Sequence, residues 1–177
     1  MEQKVNVWKA NLTNGLILAM AGIAYSLVMY FLDLTLNKTQ GYAFIPIQLV
    51  LMYFLLKSYR DNYLHGQITY GQSFGAGVII CLYYAIILAA FIYILYTVID
   101  TGLLSKQLAL TEETLVKKGL PQASIDTAMT IQSKIMKPEI MAPLSILGSM
   151  LVGVIMSLLV SIFVRKEGNP LIDSPAN

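Results

Sequence analysis

Charge is missing from most of this 177-residue chain: residues 10–32, 39–56, 66–99 and 140–164 contain no Asp, Glu, Lys or Arg. A helix rising 1.5 Å per residue needs roughly 20 mainly apolar residues to cover about 30 Å of hydrocarbon. Each run reaches or nearly reaches that length, so four membrane-spanning helices are predicted. Charged residues make up 12% of the chain, against roughly 25% in a soluble domain. The absences also exclude chemistry. Proton-coupled carriers and voltage sensors need ionisable groups at membrane depth, and these spans offer none. The single cysteine, Cys81, permits no intrachain disulfide or thiolate cluster and reads as a small buried hydrophobe. The single histidine, His65, has neither a second histidine nor a nearby cysteine to make a zinc site. Nothing places it in a Ser–His–Asp arrangement. A net charge of +2 gives no basic face for nucleic acid, and no phosphate-binding G-x-x-x-x-G-K-S/T loop occurs. No cofactor is implied.

What is present is ordered around those runs. The first helix is expected over 12–32, with Trp8 at one interface and Tyr30 and Phe31 at the other. Its apolar part exceeds the 7–15 residues of a signal-peptide core, so it reads as retained. The second is expected over 42–56, with Pro46 tolerated in its first turn. The third is expected over 74–99, after a Gly-, Gln-, Ser- and Thr-rich lead-in, and the fourth over 141–164. One membrane domain accounts for the whole length. The connection 100–139 is the only sizeable extramembrane piece, with five acidic and five basic residues. Two helices are predicted in it, 105–118 and 122–136, separated by Gly119-Leu120-Pro121. The second carries an apolar stripe through Ile125, Ala128, Met129, Ile131, Gln132, Ile135 and Met136. Such a hairpin suits capping the bundle, lying on the lipid surface or docking a partner.

Four spans put both termini on one side. That side carries Lys4, Lys9, Lys57, Arg60, Arg165 and Lys166; the other carries Lys38, Lys106, Lys117, Lys118, Lys134 and Lys137. The counts tie, but Lys57, Arg60, Arg165 and Lys166 abut spans, so cytoplasmic termini are expected.

Two segments could carry function. In the fourth span Ser145, Ser149, Gly153, Ser157 and Ser161 recur every four residues, making one ridge of small side chains. Such ridges let helix backbones approach closely in lipid. The ridge suits packing against another span, self-association or a different membrane protein, or a serine-lined polar path. The second segment, 57–74, mixes cations, tyrosines and turn residues. Lys57 and Arg60 suit a lipid phosphate, with Tyr70, Gly71 and Gln72 at the start of the next helix as further contacts to a headgroup or partner. The bland alternative is a juxtamembrane turn whose tyrosines anchor the interface and whose cations fix topology. Within the spans, Gln48, Gln72, Ser73, Tyr25, Tyr53, Tyr83 and Tyr84 suit interhelical hydrogen bonds, with a neutral pocket as the alternative.

The pattern Lys57, Tyr59, Arg60, Asp61, then Gly66, Ile68, Thr69, Tyr70, Gly71, Gln72, Phe74, then Ile99-Asp100, Gly119, Pro138, Ser157-Leu158 and Lys166-Glu167 resembles the bacterial membrane family called domain of unknown function 4199. The resemblance covers nearly the whole chain and is most specific at Tyr70-Gly71-Gln72. Thr101-Gly102 departs from it, where a proline is expected. The resemblance implies a four-span inner-membrane protein of a Gram-negative bacterium and brings no activity with it. It also implies company with membrane glycosyltransferases acting on lipid-linked sugars, which would put Lys57 and Arg60 at a polyprenyl phosphate and the small ridge against the partner enzyme.

The expectation is therefore an all-α integral membrane four-helix bundle with an extramembrane hairpin between spans three and four. Its expected role is a non-enzymatic accessory or assembly protein whose partners are membrane lipids and another membrane protein or itself. A small oligomeric transporter or lipid flippase is the competing class.

Overall fold

In the computed structural model, residues 5–37 and 39–167 are described, so Lys4 and Lys38, two of the cations weighed for orientation, lie outside them. The described chain is helical: α1 Val7–Phe31, α2 Thr39–Tyr63, α3 Tyr70–Ile94 continued by a π turn Leu95–Ile99, α4 Leu103–Lys117, α5 Gln122–Ile135 and α6 Pro138–Val164. Four of them are long and apolar enough to cross a membrane: α1 and α2 at 25 residues each, α3 with its π turn at 30, and α6 at 27. The protein is a multi-pass membrane protein, and α4 and α5, at 15 and 14 residues, form the hairpin between its third and fourth spans.

The helices outrun the charge-free stretches, for local reasons. Asn6 caps α1 by accepting from the Trp8 and Lys9 N–H groups, so the helix starts at Val7. Helix α2 continues through Lys57, Arg60 and Asp61 to Tyr63, because leaving hydrocarbon does not end a hydrogen-bonded helix. Pro46 therefore lies inside α2, beyond its first turn. Helix α3 starts four residues before the expected Phe74. Thr69 and Gln72 form a capping box, with Thr69 N–H donating to Gln72 Oε1 at 3.0 Å and Gln72 N–H to Thr69 Oγ1 at 3.3 Å. The turn after α3, where the family pattern expects proline, is closed by Asp100, whose Oδ1 accepts from the Gly102 N–H at 2.9 Å.

The chain folds as two compact units. One comprises the residues up to Ala85 and from Gly148 on, the other Ile86–Leu147. In the first, α1, α2, α3 and α6 pack through small residues. Tyr83 crosses α1 at Gly15 and Tyr84 crosses it at Gly22. Asn14 of α1 donates to Asn11 Oδ1 at 3.1 Å and to the Leu55 carbonyl of α2 at 3.4 Å. Helices α3 and α6 run antiparallel in one register: Ile68 pairs with Lys166 through two 2.9 Å backbone hydrogen bonds, Gly77 meets Ser157, and Cys81 meets Gly153. On α3 this contact runs along Ser73, Gly77, Cys81 and Ala85, all buried and four residues apart, a small-residue ridge complementary to that of α6. The outer faces of the four long helices are apolar: Met20, Phe31, Val50, Leu151 and Phe163 are among the most exposed side chains. In water that surface would be a severe liability; in hydrocarbon it is the solvent contact.

In the second unit Asp100 also pairs with Lys106 at 3.7 Å, and Tyr96 donates to Gln107 Oε1 at 3.3 Å. Gly119 ends α4 at φ +71°, a conformation that glycine takes without penalty, and Pro121 opens α5. Leu103, Ile125 and Met136 are buried, whereas Leu110, Val116, Leu120, Ile131 and Ile135 are exposed. The Lys117 ammonium, hydrogen-bonded to the Glu113 carboxylate, holds that carboxyl below its ordinary pKa.

Candidate functional site

The connection between α2 and α3 reverses the chain through His65 and Gly66, at φ +53° and +81°. Glycine accommodates that conformation, while histidine pays a small penalty for it. The reversal lays Gln67–Thr69 against the segment leaving α6, and an open cleft of about 1100 Å³ forms beside it. Its lining includes Tyr59, Tyr63, His65, Gln72, Lys166 and Glu167.

The five headgroup or partner residues expected here are only partly brought together. Gly71 and Gln72 line the cleft. Gln72 is engaged in the capping box. Arg60 donates through Nε to Asp61 at 2.7 Å and through Nη1 to the Val164 carbonyl at 3.1 Å, so it holds the last turn of α6 to α2. Tyr70 donates to the Leu158 carbonyl at 3.2 Å. Lys57 is exposed on α2. Three of the five are thus engaged in fastening the chain to itself. Replacing Arg60 by Ala should lower stability in detergent by roughly 1–2 kcal/mol, because the buried Val164 carbonyl loses a charged donor. Thermal unfolding checks this, and Arg60→Lys should recover only part of it, since lysine cannot fork to both acceptors.

The ridge of α6 divides. Gly153 and Ser157 pack on α3, and the Ser157 hydroxyl donates to the Gly153 carbonyl at 2.7 Å. Ser161 is fully buried, and the common register brings it opposite Ser73; neither hydroxyl has a hydrogen-bond partner among the described residues. Ser149 lines a cavity, and Ser145, in the second unit, donates to the Ala142 carbonyl at 2.8 Å.

That cavity, about 340 Å³, lies among α1, α2, α3 and α6 within the first unit and is open to the outside past the exposed Gly41, Ile45, Gly148 and Val152. Its polar lining is Tyr25, Ser26, Gln40, Gln48, Tyr84 and Ser149. Tyr25 donates to the Gln40 carbonyl at 2.6 Å, and Gln40 donates to the Thr35 carbonyl at 2.7 Å. Gln48 and Tyr84 make no hydrogen bond among the described residues, although interhelical bonding was the expected use of both. The sequence marks both side chains but not their meeting: Tyr84 follows Gln48 by 36 positions and reaches α1 only because Gly22 leaves room. Asn11 lies outside the span expected over 12–32, so the expectation does not contain the Asn11–Asn14 pair. Its signal was two amides three residues apart on one face of a helix.

Residues 13–166 match the family described as "Protein of unknown function (DUF4199)". The chain belongs to the DUF4199 family. No curated protein and no solved structure matches it. The DUF4199 match begins inside α1 and takes in the other three spans and the hairpin, and it attaches no reaction to any of the residues above.

Proposed function

We propose that this DUF4199 protein is a non-enzymatic accessory or assembly subunit of a complex in the inner membrane of a Gram-negative bacterium, with both termini on the cytoplasmic face. The observation that carries the reading is the α4–α5 hairpin. It leaves Leu110, Val116, Leu120, Ile131 and Ile135 exposed on helices too short to span the membrane, where an apolar surface has a use if another protein covers it. A membrane glycosyltransferase acting on lipid-linked sugars is the partner class that the family resemblance suggests. Membrane lipids are the second partner, with Lys57 and the cleft at Gly71 and Gln72 as the headgroup contact.

Purification in mild detergent with identification of bound proteins tests this. A stoichiometric membrane enzyme should accompany the native chain and be lost from the Leu110→Ser/Ile131→Ser variant. A homogeneous preparation without a partner in both cases contradicts it. The competing reading, a small oligomeric transporter or flippase, draws on the neutral polar cavity, and a clean homo-oligomer with trapped substrate would favour it.

A further inference from the structure

We propose that the cavity lined by Gln48 and Tyr84 is a binding site for an uncharged, lipid-soluble molecule that presents two hydrogen-bond-accepting oxygens. Neither functional reading above is needed for this. Gln48 is 5% exposed and Tyr84 6%, both line the cavity, and neither has a hydrogen-bond partner among the described residues. The polar atoms of both are open to this space rather than enclosed by the chain; an amide or phenol that faces hydrocarbon without a partner costs roughly 1–3 kcal/mol, and no lipid chain can relieve that cost. Two such groups converging on one space of about 340 Å³ give a ligand two donors to satisfy: the Tyr84 hydroxyl and the Gln48 amide. That volume falls within the range of small-molecule pockets.

The rest of the lining sets the chemistry. Among the described residues it contains no Asp, Glu, Lys, Arg or His, so these give a phosphate or carboxylate no counter-charge. Phe44, stacked on Tyr25 at 4.9 Å, offers an aromatic surface, and Ile45 and Val152 supply apolar contact. Gly22 is a structural requirement of the site, because a Cβ there would stand 2.8 Å from Tyr84 Cε2 and displace the ring. The ligand is therefore a neutral ring or short chain bearing two carbonyl or ester oxygens. An isoprenoid quinone and a diglyceride both carry that chemistry.

Isothermal titration of the purified protein in detergent distinguishes the sources, using decyl-substituted benzoquinone, dioctanoylglycerol and, as a charged control, dioctanoyl phosphatidate. One neutral probe should bind. Gln48→Leu and Tyr84→Phe should each weaken it by about tenfold or more, the loss of one hydrogen bond to a desolvated group. Thermal unfolding of these variants without probe should stay level or rise, because each removes an unpaired polar group. Val152→Phe should also block binding, by filling the space with both donors kept. Binding of neither neutral probe, as for a cavity holding only water, overturns the proposal. So does unchanged affinity in the variants, or phosphatidate binding as tightly as the neutral probes.

Discussion

Replacing Gly153 by Leu should cost at least about 3 kcal/mol, and the protein should either unfold at markedly lower temperature in detergent or fail to accumulate. A Cβ at Gly153 would lie 2.6 Å from Cys81 Cβ and 2.9 Å from its sulfur, so even one added carbon forces α3 and α6 apart. Overpacking by single methylenes typically costs about 1–3 kcal/mol. Leucine adds four carbons at the point of closest approach, where close packing joins helices in lipid. Gly148, on the same helix, has no heavy atom within 4 Å of its Cβ position, so Gly148→Leu should be tolerated. The sign of the contrast isolates contact from helix propensity, since both changes remove a helical glycine. Pairing Gly153→Ala with Cys81→Gly should restore much of what Gly153→Ala alone loses. Equal tolerance of leucine at both positions would refute the α3–α6 contact.

A comparable loss, roughly 3 kcal/mol, is expected for Leu151→Arg. Leu151 lies midway along α6 and is 70% exposed. On a surface facing water such a change falls within about 0.5 kcal/mol of neutral. At the centre of a span, arginine costs about 2.5–3.5 kcal/mol to insert, and the leucine contribution is lost as well. The measured quantity is the fraction of α6 inserted, read from a glycosylation or protease-protection reporter placed after Val164. Leu151→Ile should insert as the native sequence does.

Solvent partitioning made the spans legible from the sequence: a charge-free apolar run long enough to cross hydrocarbon is hard to bury in a water-soluble chain of this size, and all four runs are helices here. The ends were less legible. Charge marks where hydrocarbon stops, whereas caps mark where a helix stops, and the two differ by seven residues at Tyr63 and by four at Tyr70. The Thr69-x-x-Gln72 box was readable and would have placed the start of α3. The α6 ridge was visible because serines stand out in an apolar run. Its counterpart Ser73, Gly77, Cys81 and Ala85 has the same spacing, but cysteine and alanine blend into apolar surroundings and Ser73 stands one residue before Phe74, the expected start of the span. The tie from Arg60 to the Val164 carbonyl joins positions 104 apart. No local pattern announces such a pair, in which a cation suited to a phosphate also caps a helix of its own chain. Gln48 and Tyr84 drew notice as polar residues in spans, but their convergence depends on how α1, α2 and α3 pack.

Thiol labelling of two single-site variants tests the crossing of the membrane most directly. Cys81 is fully buried and silent, so His65→Cys in the α2–α3 connection and Leu120→Cys at the hairpin turn supply the reporting sulfurs. With a membrane-impermeant maleimide, His65→Cys and Leu120→Cys should react in vesicles of opposite orientation, and the proposed cytoplasmic termini assign His65→Cys to the inside-out ones. Labelling of both from the same side, or release of the protein into solution when vesicles are washed without detergent, would contradict an α3 that traverses the bilayer.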